Sequence, residues 1–348
     1  MVKKMIYKVF IDGQAGTTGL RLADRLGERD DTELIKIGEA SRKDIGKRLE
    51  CIAEADVAVL CLPDDSAREI SGEIEKAEIK NTQVIDCSTA NRTKDGWLYG
   101  IPELFSSSTA SKRIANPGCH ATGFVMSVRP LVLAGIIDTE AVLSFHSLTG
   151  YSGGGKAMIA EYEAMHHGVV AEYEAMHNSG DTVNKKQNAG DIRKQSLAPR
   201  QYALAQTHKH IPEMRKYSGL MNAPVFSPIV CDFYNGMLVS VPLPQGALKK
   251  SITPEKIREE LTAYYNGRPL VKVRQTGYEF THEAGEGFLS ADAFKDRDDI
   301  EIIITGNNDR IEIVSRYDNL GKGASGAAIQ NMNLMLGIEE ETGLTLGA

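Results

Sequence analysis

The stretch Lys8-Val9-Phe10-Ile11-Asp12-Gly13-Gln14-Ala15-Gly16-Thr17-Thr18-Gly19 decides the fold. Its first five residues read as a buried strand. Its last seven space three glycines at 13, 16 and 19 and lead into Thr18 to Gly27, a predicted helix carrying Leu20, Leu22 and Leu26. A first glycine permits a sharp turn, a second lets backbone N–H groups approach a pyrophosphate, and a third allows close helix packing. The spacing alone is common; directly after an N-terminal strand it becomes informative. The expected dinucleotide loop is therefore Gly13, Gln14, Ala15, Gly16, Thr17, Thr18 and Gly19.

Outward from this loop, strands alternate with helices. Glu33 to Ile37 reads as a strand, Lys43 to Ala53 as a helix and Asp56 to Leu62 as an apolar strand. Asp65 to Ala77 reads as a helix and Gln83 to Cys87 as the next strand. Such alternation predicts βαβ units, hence an α/β chain with a Rossmann-type parallel sheet. At the end of the second strand, Ser41, Arg42 and Lys43 suit the 2′-phosphate of NADP, Arg42 with a planar fork. Glu39 opposes this, since an acidic residue there holds a ribose diol.

The later sequence changes character. Ala141 to His146, Pro224 to Asp232, Met237 to Val241, Ile300 to Ile304 and Arg310 to Val314 read as strands, with Asn235-Gly236 as a hairpin signal. This predicts a second, α+β domain with a mixed or antiparallel sheet. Gly323 through Leu336 returns to a helical pattern. Ala160 to His166 recurs as Ala171 to His177, an 11-residue offset that keeps both copies near one helix face. We read it as a local duplication lengthening one helix or loop, with Asn178 to Ser196 a polar loop after it.

The net charge of −7 argues against nucleic acid as a partner. No apolar run reaches membrane-spanning or signal-peptide length, which points to the cytoplasm. Five cysteines without a CxxC make neither a disulfide framework nor a zinc site. Cys61, Cys87 and Cys231 lie in apolar segments and read as small buried hydrophobes, as does Cys51.

Cys119 differs. Asn116-Pro117-Gly118-Cys119-His120-Ala121-Thr122 precedes an apolar helical stretch, so the thiol stands at a helix start, where free N–H groups favour a thiolate nucleophile. His208-Lys209-His210-Ile211-Pro212-Glu213 supplies the best partners: one imidazole for acid–base work, the other or Lys209 for an anion. Thr149 to Lys156 is a second glycine-rich stretch, whose backbone amides suit a phosphate or carboxylate; Ser152, Gly153 and Lys156 belong to it.

Together these motifs resemble the N-acetyl-γ-glutamyl-phosphate reductases of arginine biosynthesis, in their shorter-chain type. The resemblance extends over nearly the whole chain. It also rests on Leu62-Pro63-Asp64-Asp65, Asp86 to Arg92, Asp318-Asn319-Leu320 and Gln330 to Leu336. It implies a semialdehyde-dehydrogenase-like fold, with residues 1–118 plus 319–348 binding NADP and 119–318 forming a catalytic and oligomerisation domain. It implies reduction of an acyl phosphate by NADPH through a Cys119 thioester, with His208 or His210 as the acid–base. Pro63 and Asn319 are then expected at the cofactor, Asn319 near the nicotinamide. Asn116 is expected at the substrate, and Arg92, Arg113 and Lys156 are candidates for its carboxylate. The expected partners are a small acyl phosphate and further copies of the chain, as a dimer or tetramer. Rival readings are an aspartate-semialdehyde dehydrogenase, a relative acting on a carrier-bound amino-adipyl phosphate, and a non-catalytic NADP sensor.

Overall fold

The computed structural model describes residues 5–105, 111–178, 197–249, 252–275 and 287–347, with the backbone alone at 168–178. The first part runs β1 (Tyr7–Asp12), α1 (Thr17–Gly27), β2 (Thr32–Ile35), α2 (Ile45–Glu54), β3 (Val57–Leu60), α3 (Asp64–Lys76), β4 (Gln83–Asp86), β5 (Leu98–Tyr99) and β6 (Arg113–Ala115). Among the described residues these strands form one sheet, ordered β2-β1-β3-β4-β6-β5, with every pair parallel.

The apolar runs make such a sheet because alternate side chains point to opposite faces and both faces are covered. Val9 and Ile11 meet Leu22 and Leu26 of α1, whereas Phe10 joins Ile52 of α2 and Ile70 and Ile74 of α3. Strand β1 sits between β2 and β3, so the chain turns opposite ways from it. The crevice at this switch point lies at the C-terminal ends of β1 and β3, the usual place for a ligand in such sheets. Gly13 turns there with φ +87°, and a Cβ on it would come 2.3 Å from the Cys61 carbonyl oxygen. Beneath the turn, buried Asp12 accepts from Arg48 Nε at 2.9 Å and Nη2 at 2.6 Å. Burial raises the Asp12 pKa, and Arg48 opposes that rise.

The chain continues with α4 (Cys119–Leu133), β7 (Ser144–Gly150), α5 (Gly155–Asn178), β8 (Arg200–Gln201), α6 (Ile211–Ser218), β9 (Val225–Cys231) and β10 (Met237–Leu243). After these come α7 (Pro254–Tyr264), β11 (Val271–Val273), β12 (Ile300–Asn307), β13 (Arg310–Tyr317), a π turn at Gly321–Ser325 and α8 (Gly326–Leu336). The second sheet is mixed and ordered β11-β12-β13-β10-β7-β9-β8 among the described residues. Helix α4 is largely apolar and buried along most of its length, as befits a helix packed between other elements. Its Phe124 stacks on Phe145 of β7, which stacks on Phe226 of β9, each at 4.6 Å. Ala328, Ile329, Met332 and Met335 of α8 pack on the first sheet beside Val9, Val57 and Ile85.

Two expectations need comment. Asn235-Gly236 is not a hairpin turn, because β7 lies between β9 and β10 in the sheet. Asn235 is instead spent on the Asp296 and Asp318 carboxylates, and the Gly236 N–H on Asn319 Oδ1. Both copies of the duplicated heptapeptide lie on the single 24-residue helix α5. The polar loop expected after it lies outside the described residues from 179 to 196.

Arg48→Met should leave the Asp12 carboxylate buried and unpaired, at a cost of about 3–5 kcal/mol. Urea unfolding checks this. A loss under about 1 kcal/mol would mean that the ion pair does not hold the glycine turn.

Candidate active site

The segment Asn116-Pro117-Gly118 leaves β6 and delivers Cys119 to the first position of α4. Side chains from both domains fix this segment. Asn116 Nδ2 donates to the Ala324 carbonyl at 2.9 Å, and Arg92 Nε donates to the Asn116 carbonyl at 2.9 Å. Glu213 of α6, 1% exposed, is the centre of the arrangement. Its Oε1 accepts from Arg92 Nη1 at 2.6 Å, and its Oε2 accepts from Tyr99 Oη at 2.6 Å and from the Gly118 N–H at 3.1 Å. Only a residue without a side chain fits between these groups. A Cβ on Gly118 would stand 2.5 Å from Arg92 Nη1, 2.5 Å from His210 Nε2 and 2.6 Å from Glu213 Oε1.

Tyr317 of β13 holds the first turn of α4. Its hydroxyl donates to the Cys119 carbonyl at 2.6 Å and accepts from the Gly123 N–H at 3.1 Å, the pair of groups that would otherwise bond within the helix. Cys119 is half-buried. Burial pushes its thiol up to about 11, while the Arg92 guanidinium, the His120 backbone N–H and the Lys209 ammonium pull the other way. This corrects the expectation of a thiolate: the helix start is present, but desolvation outweighs it. The resting side chain is a thiol among groups that favour its anion.

Three imidazoles cluster beside it. His120, next to the nucleophile, is buried, with Nδ1 at 2.7 Å from Ser147 Oγ and Nε2 at 2.7 Å from Tyr202 Oη. Burial, with a smaller contribution from His208, brings its pKa down to about 3. His208 falls to about 4 through burial and the neighbouring Lys209 and Arg92 charges. Burial and then Arg92 hold His210 well below 6.5. All three are neutral at pH 7. Phe226 lies 5.1 Å from both the His120 and His208 rings, edge to face with each.

Cys119, His208, Lys209 and His210 line a cleft of about 460 Å³ shared by the two domains, and Gly16 to Gly19 line its far end. There the N-terminus of α1 has no side-chain cap, and Thr17 Oγ1 is buried without a partner. An uncapped helix start with an orphaned hydroxyl fits the pyrophosphate of a dinucleotide. Ser152, Gly153, Asn319 and Asn116 also line the cleft. Asn319 Nδ2 donates to Ser152 Oγ at 3.0 Å, tying the glycine-rich end of β7 to the segment before the π turn.

Other expected residues stand elsewhere. Gly13 forms the turn beneath the cleft, and Gln14, Ala15 and Pro63 are exposed outside its lining. Ser41 ends a short 3₁₀ turn beyond β2. Arg42 follows it, exposed, with Glu39 at 3.5 Å as its ion-pair partner among the described residues. Arg113 turns away from the cleft and donates to the carbonyls of Ile79, Thr82 and Lys112. Lys156 is exposed and does not line it. Arg92 does line it, but its nitrogens are committed to Glu213, Asn116 and Cys87, so it anchors the nucleophile's segment. Sequence reasoning missed Tyr99, Ser147, Tyr202 and Tyr317, because none stands in a motif of its own, and it gave His120, inside the Cys119 motif, no role. Cys61 and Cys87, read as buried hydrophobes, are half-buried and line the nucleotide half of the cleft.

Comparison with known proteins agrees with this architecture. Residues 8–112 match a family profile described as the semialdehyde dehydrogenase NAD binding domain, and 175–319 match the semialdehyde dehydrogenase dimerisation domain. The chain is 40% identical to N-acetyl-gamma-glutamyl-phosphate reductase 2 of a Nostoc species, over 97% of this chain and 99% of that one. It is 37% identical to the N-acetyl-gamma-glutamyl-phosphate reductase of a Chelativorans species, over 95% and 99%. Among solved structures, aspartate semialdehyde dehydrogenase from Francisella tularensis superposes with a TM-score of 0.68, over 95% of this chain and all of that one. At 15% identity this likeness concerns the fold.

The neutral histidines make a prediction. His120 and His208 titrate near 3 and 4 when folded but near 6.5 when unfolded, so the unfolded chain binds more protons between those values. Their stabilisation is complete above about pH 6.5 and is lost as pH falls toward 4. The Tm should drop steadily from pH 7 to pH 5, with His120 alone costing on the order of 2 kcal/mol by pH 5. His120→Asn should flatten the slope; an unchanged slope would show that His120 is not held neutral.

Proposed function

We propose, from the premise that the chain belongs to the N-acetyl-γ-glutamyl-phosphate reductase family, that it reduces N-acetyl-γ-glutamyl phosphate to N-acetylglutamate 5-semialdehyde and phosphate. The reaction belongs to arginine biosynthesis and runs through a thioester on Cys119. The observation that carries this reading is the thiol at the start of α4, opening onto the cleft beside His208, Lys209 and His210.

The steps follow from those groups. Cys119 Sγ attacks the acyl carbon while a neighbouring imidazole takes the thiol proton. The S–C bond forms, the C–O bond to phosphate breaks, and phosphate leaves with the electron pair and takes up a proton from solvent. Backbone N–H groups at the start of α4, with Lys209 and Arg92, stabilise sulfur while it is anionic. When bound, a reduced nicotinamide cofactor would supply the hydride that converts the thioester to the oxyanion of a hemithioacetal. The imidazole then returns its proton to Sγ as the C–S bond breaks and the aldehyde is released.

Gly16 to Gly19 would hold the pyrophosphate of the dinucleotide, and Asn319 would stand at its nicotinamide end. It is NADP, because Ser41 and Arg42 follow β2 and the partner of Arg42 among the described residues, Glu39, is loose and exposed. Its five cysteines are all free thiols, which suits work in the reducing cytoplasm. The region matched by the dimerisation profile joins copies of the chain into a dimer or tetramer.

Oxidation of N-acetylglutamate 5-semialdehyde, followed as phosphate-dependent NADPH formation, tests the activity. Turnover of aspartate semialdehyde alone would overturn the substrate assignment. Cys119→Ser should lower kcat by about 10³-fold or more with nucleotide affinity retained, and near-normal turnover would exclude the thioester. Arg42→Ala should raise the KM for NADPH about tenfold, the worth of one charged hydrogen bond, and leave that for NADH in place. Equal changes for both would remove Arg42 from the 2′-phosphate.

A further inference from the structure

Asp318 directly follows β13 and is wholly buried, and the steps above give it no task. Its Oδ1 accepts from the backbone N–H of Leu320 at 2.6 Å and from that of Gly321 at 3.0 Å. Its Oδ2 accepts from Asn235 Nδ2 and from the backbone N–H of Asp296. Four donors thus converge on one side chain, and a carboxylate is the group that accepts at both oxygens and donates at neither. Asp296 stands at φ +62°, a backbone conformation that costs free energy and persists only where its surroundings hold it. Arg21 Nη2 stands 3.8 Å from Asp318 Oδ2, on α1 about one helical turn beyond Thr17. Burial raises the Asp318 pKa, and Arg21 and the N–H groups of Asp296, Leu320 and Gly321 oppose that rise.

We propose that Asp318 is a positioning residue for the reduction step, acting through Asn319 and the π turn, which wall the nicotinamide end of the cleft. The proposal rests on the reading given above and deepens it. Asn319 lines the cleft together with Leu320, Gly323 and Ala324. Both ends of its amide are taken: Oδ1 accepts from the Gly236 N–H at 2.9 Å, and Nδ2 donates to Ser152 Oγ at 3.0 Å. Gly236 follows Asn235, which Asp318 holds, so the carboxylate fixes both partners of the Asn319–Gly236 contact. The Leu320 and Gly321 N–H groups tie the same carboxylate to the start of the π turn. Gly323 of that turn packs so close to the nucleophile that a Cβ on it would stand 2.9 Å from Cys119 Cβ. Arg21 refers this wall to α1, the helix whose N-terminus lines the pyrophosphate end. The segment carrying the thiol is held by other bonds, from Tyr317, Arg92 and Glu213. The Asp318 carboxylate therefore governs reduction of the thioester and not its formation.

Asp318→Asn keeps the size of the side chain but turns one acceptor into a donor. The first arm needs no substrate. The Kd for NADPH should stay within about threefold, because the pyrophosphate end is untouched. The fluorescence lifetime of bound NADPH, which is long only where the nicotinamide is held, should fall toward the free value. An unchanged lifetime, or an unaltered enzyme that does not lengthen it, overturns the proposal. The second arm separates the two chemical steps by rapid mixing. Acylation of Cys119 by N-acetyl-γ-glutamyl phosphate without nucleotide should stay within about threefold of the unaltered enzyme. Reduction of the preformed thioester by added NADPH should slow about 10²-fold, as for a misplacement of about 1 Å. That slowed step should show an isotope effect with NADPH deuterated at nicotinamide C4. Equal losses in both steps would mean that Asp318 merely holds the fold, and the proposal fails. Should Asp318→Asn not fold by circular dichroism, Asn235→Ala takes away one of the four donors and leaves the carboxylate. It must then shorten the lifetime and slow the reduction alone, by about tenfold, the worth of one hydrogen bond to a charged group, or the proposal fails. If the unaltered enzyme forms no thioester with this acyl phosphate, the substrate reading fails while the lifetime still decides the role of Asp318.

Discussion

Glu213 accepts hydrogen bonds from Arg92, Tyr99 and the backbone of Gly118, and all of these groups are buried. An ionised carboxylate in such a place is tolerable only with a cation and neutral donors around it, and this one has both. The geometry of the site depends on that arrangement. It draws the end of β6 against the start of α6, so Cys119 and the histidines preceding α6 come to one cleft although some 90 residues separate them in the sequence. Tyr317 fastens the other side of the same helical turn from the second sheet. The thiol is therefore positioned from three directions, each an interaction that costs free energy if one partner is removed.

The same burial that allows this rigidity makes the resting site electrically quiet. A thiol raised to about 11 and three neutral imidazoles leave few charges at the reacting end besides Arg92, paired with Glu213, and Lys209. A quiet, partly desolvated site favours a reaction in which charge appears briefly on sulfur and on an acyl oxygen, because fixed N–H dipoles then act with little competition from water. At the other end of the cleft, the free N–H groups of α1 and the orphaned Thr17 hydroxyl remain available for an anion.

Much of the fold was legible in the sequence because the apolar runs at 8–12, 56–62 and 83–87 admit few structures other than buried parallel strands. The glycine spacing located the switch point for the same local reason. Cys119, His208 and His210 stood out in the sequence by their unusual company, and the structure brings them to one cleft. What failed involved partners distant in sequence. Asn235-Gly236 looks like a hairpin to its neighbours, but Asp296, Asp318 and Asn319 claim it. Arg113 looks like a substrate clamp until the carbonyls at 79 and 82 occupy it. His120 and Tyr202 stand 82 residues apart, and only the packed structure makes them one hydrogen-bonded pair. The thiolate expectation failed on magnitude: a helix terminus lowers a thiol pKa, but the depth of burial that opposes it cannot be read from a motif.

The central claim is that Cys119, held by Glu213, Arg92 and Tyr317, forms a covalent acyl bond to its substrate. Rapid quenching of the enzyme with N-acetyl-γ-glutamyl phosphate, in the absence of reduced nucleotide, should trap an N-acetylglutamyl thioester on the peptide containing Cys119, detected by mass spectrometry and released by hydroxylamine. An enzyme that turns over yet yields no adduct, or an adduct on another residue, would contradict the account.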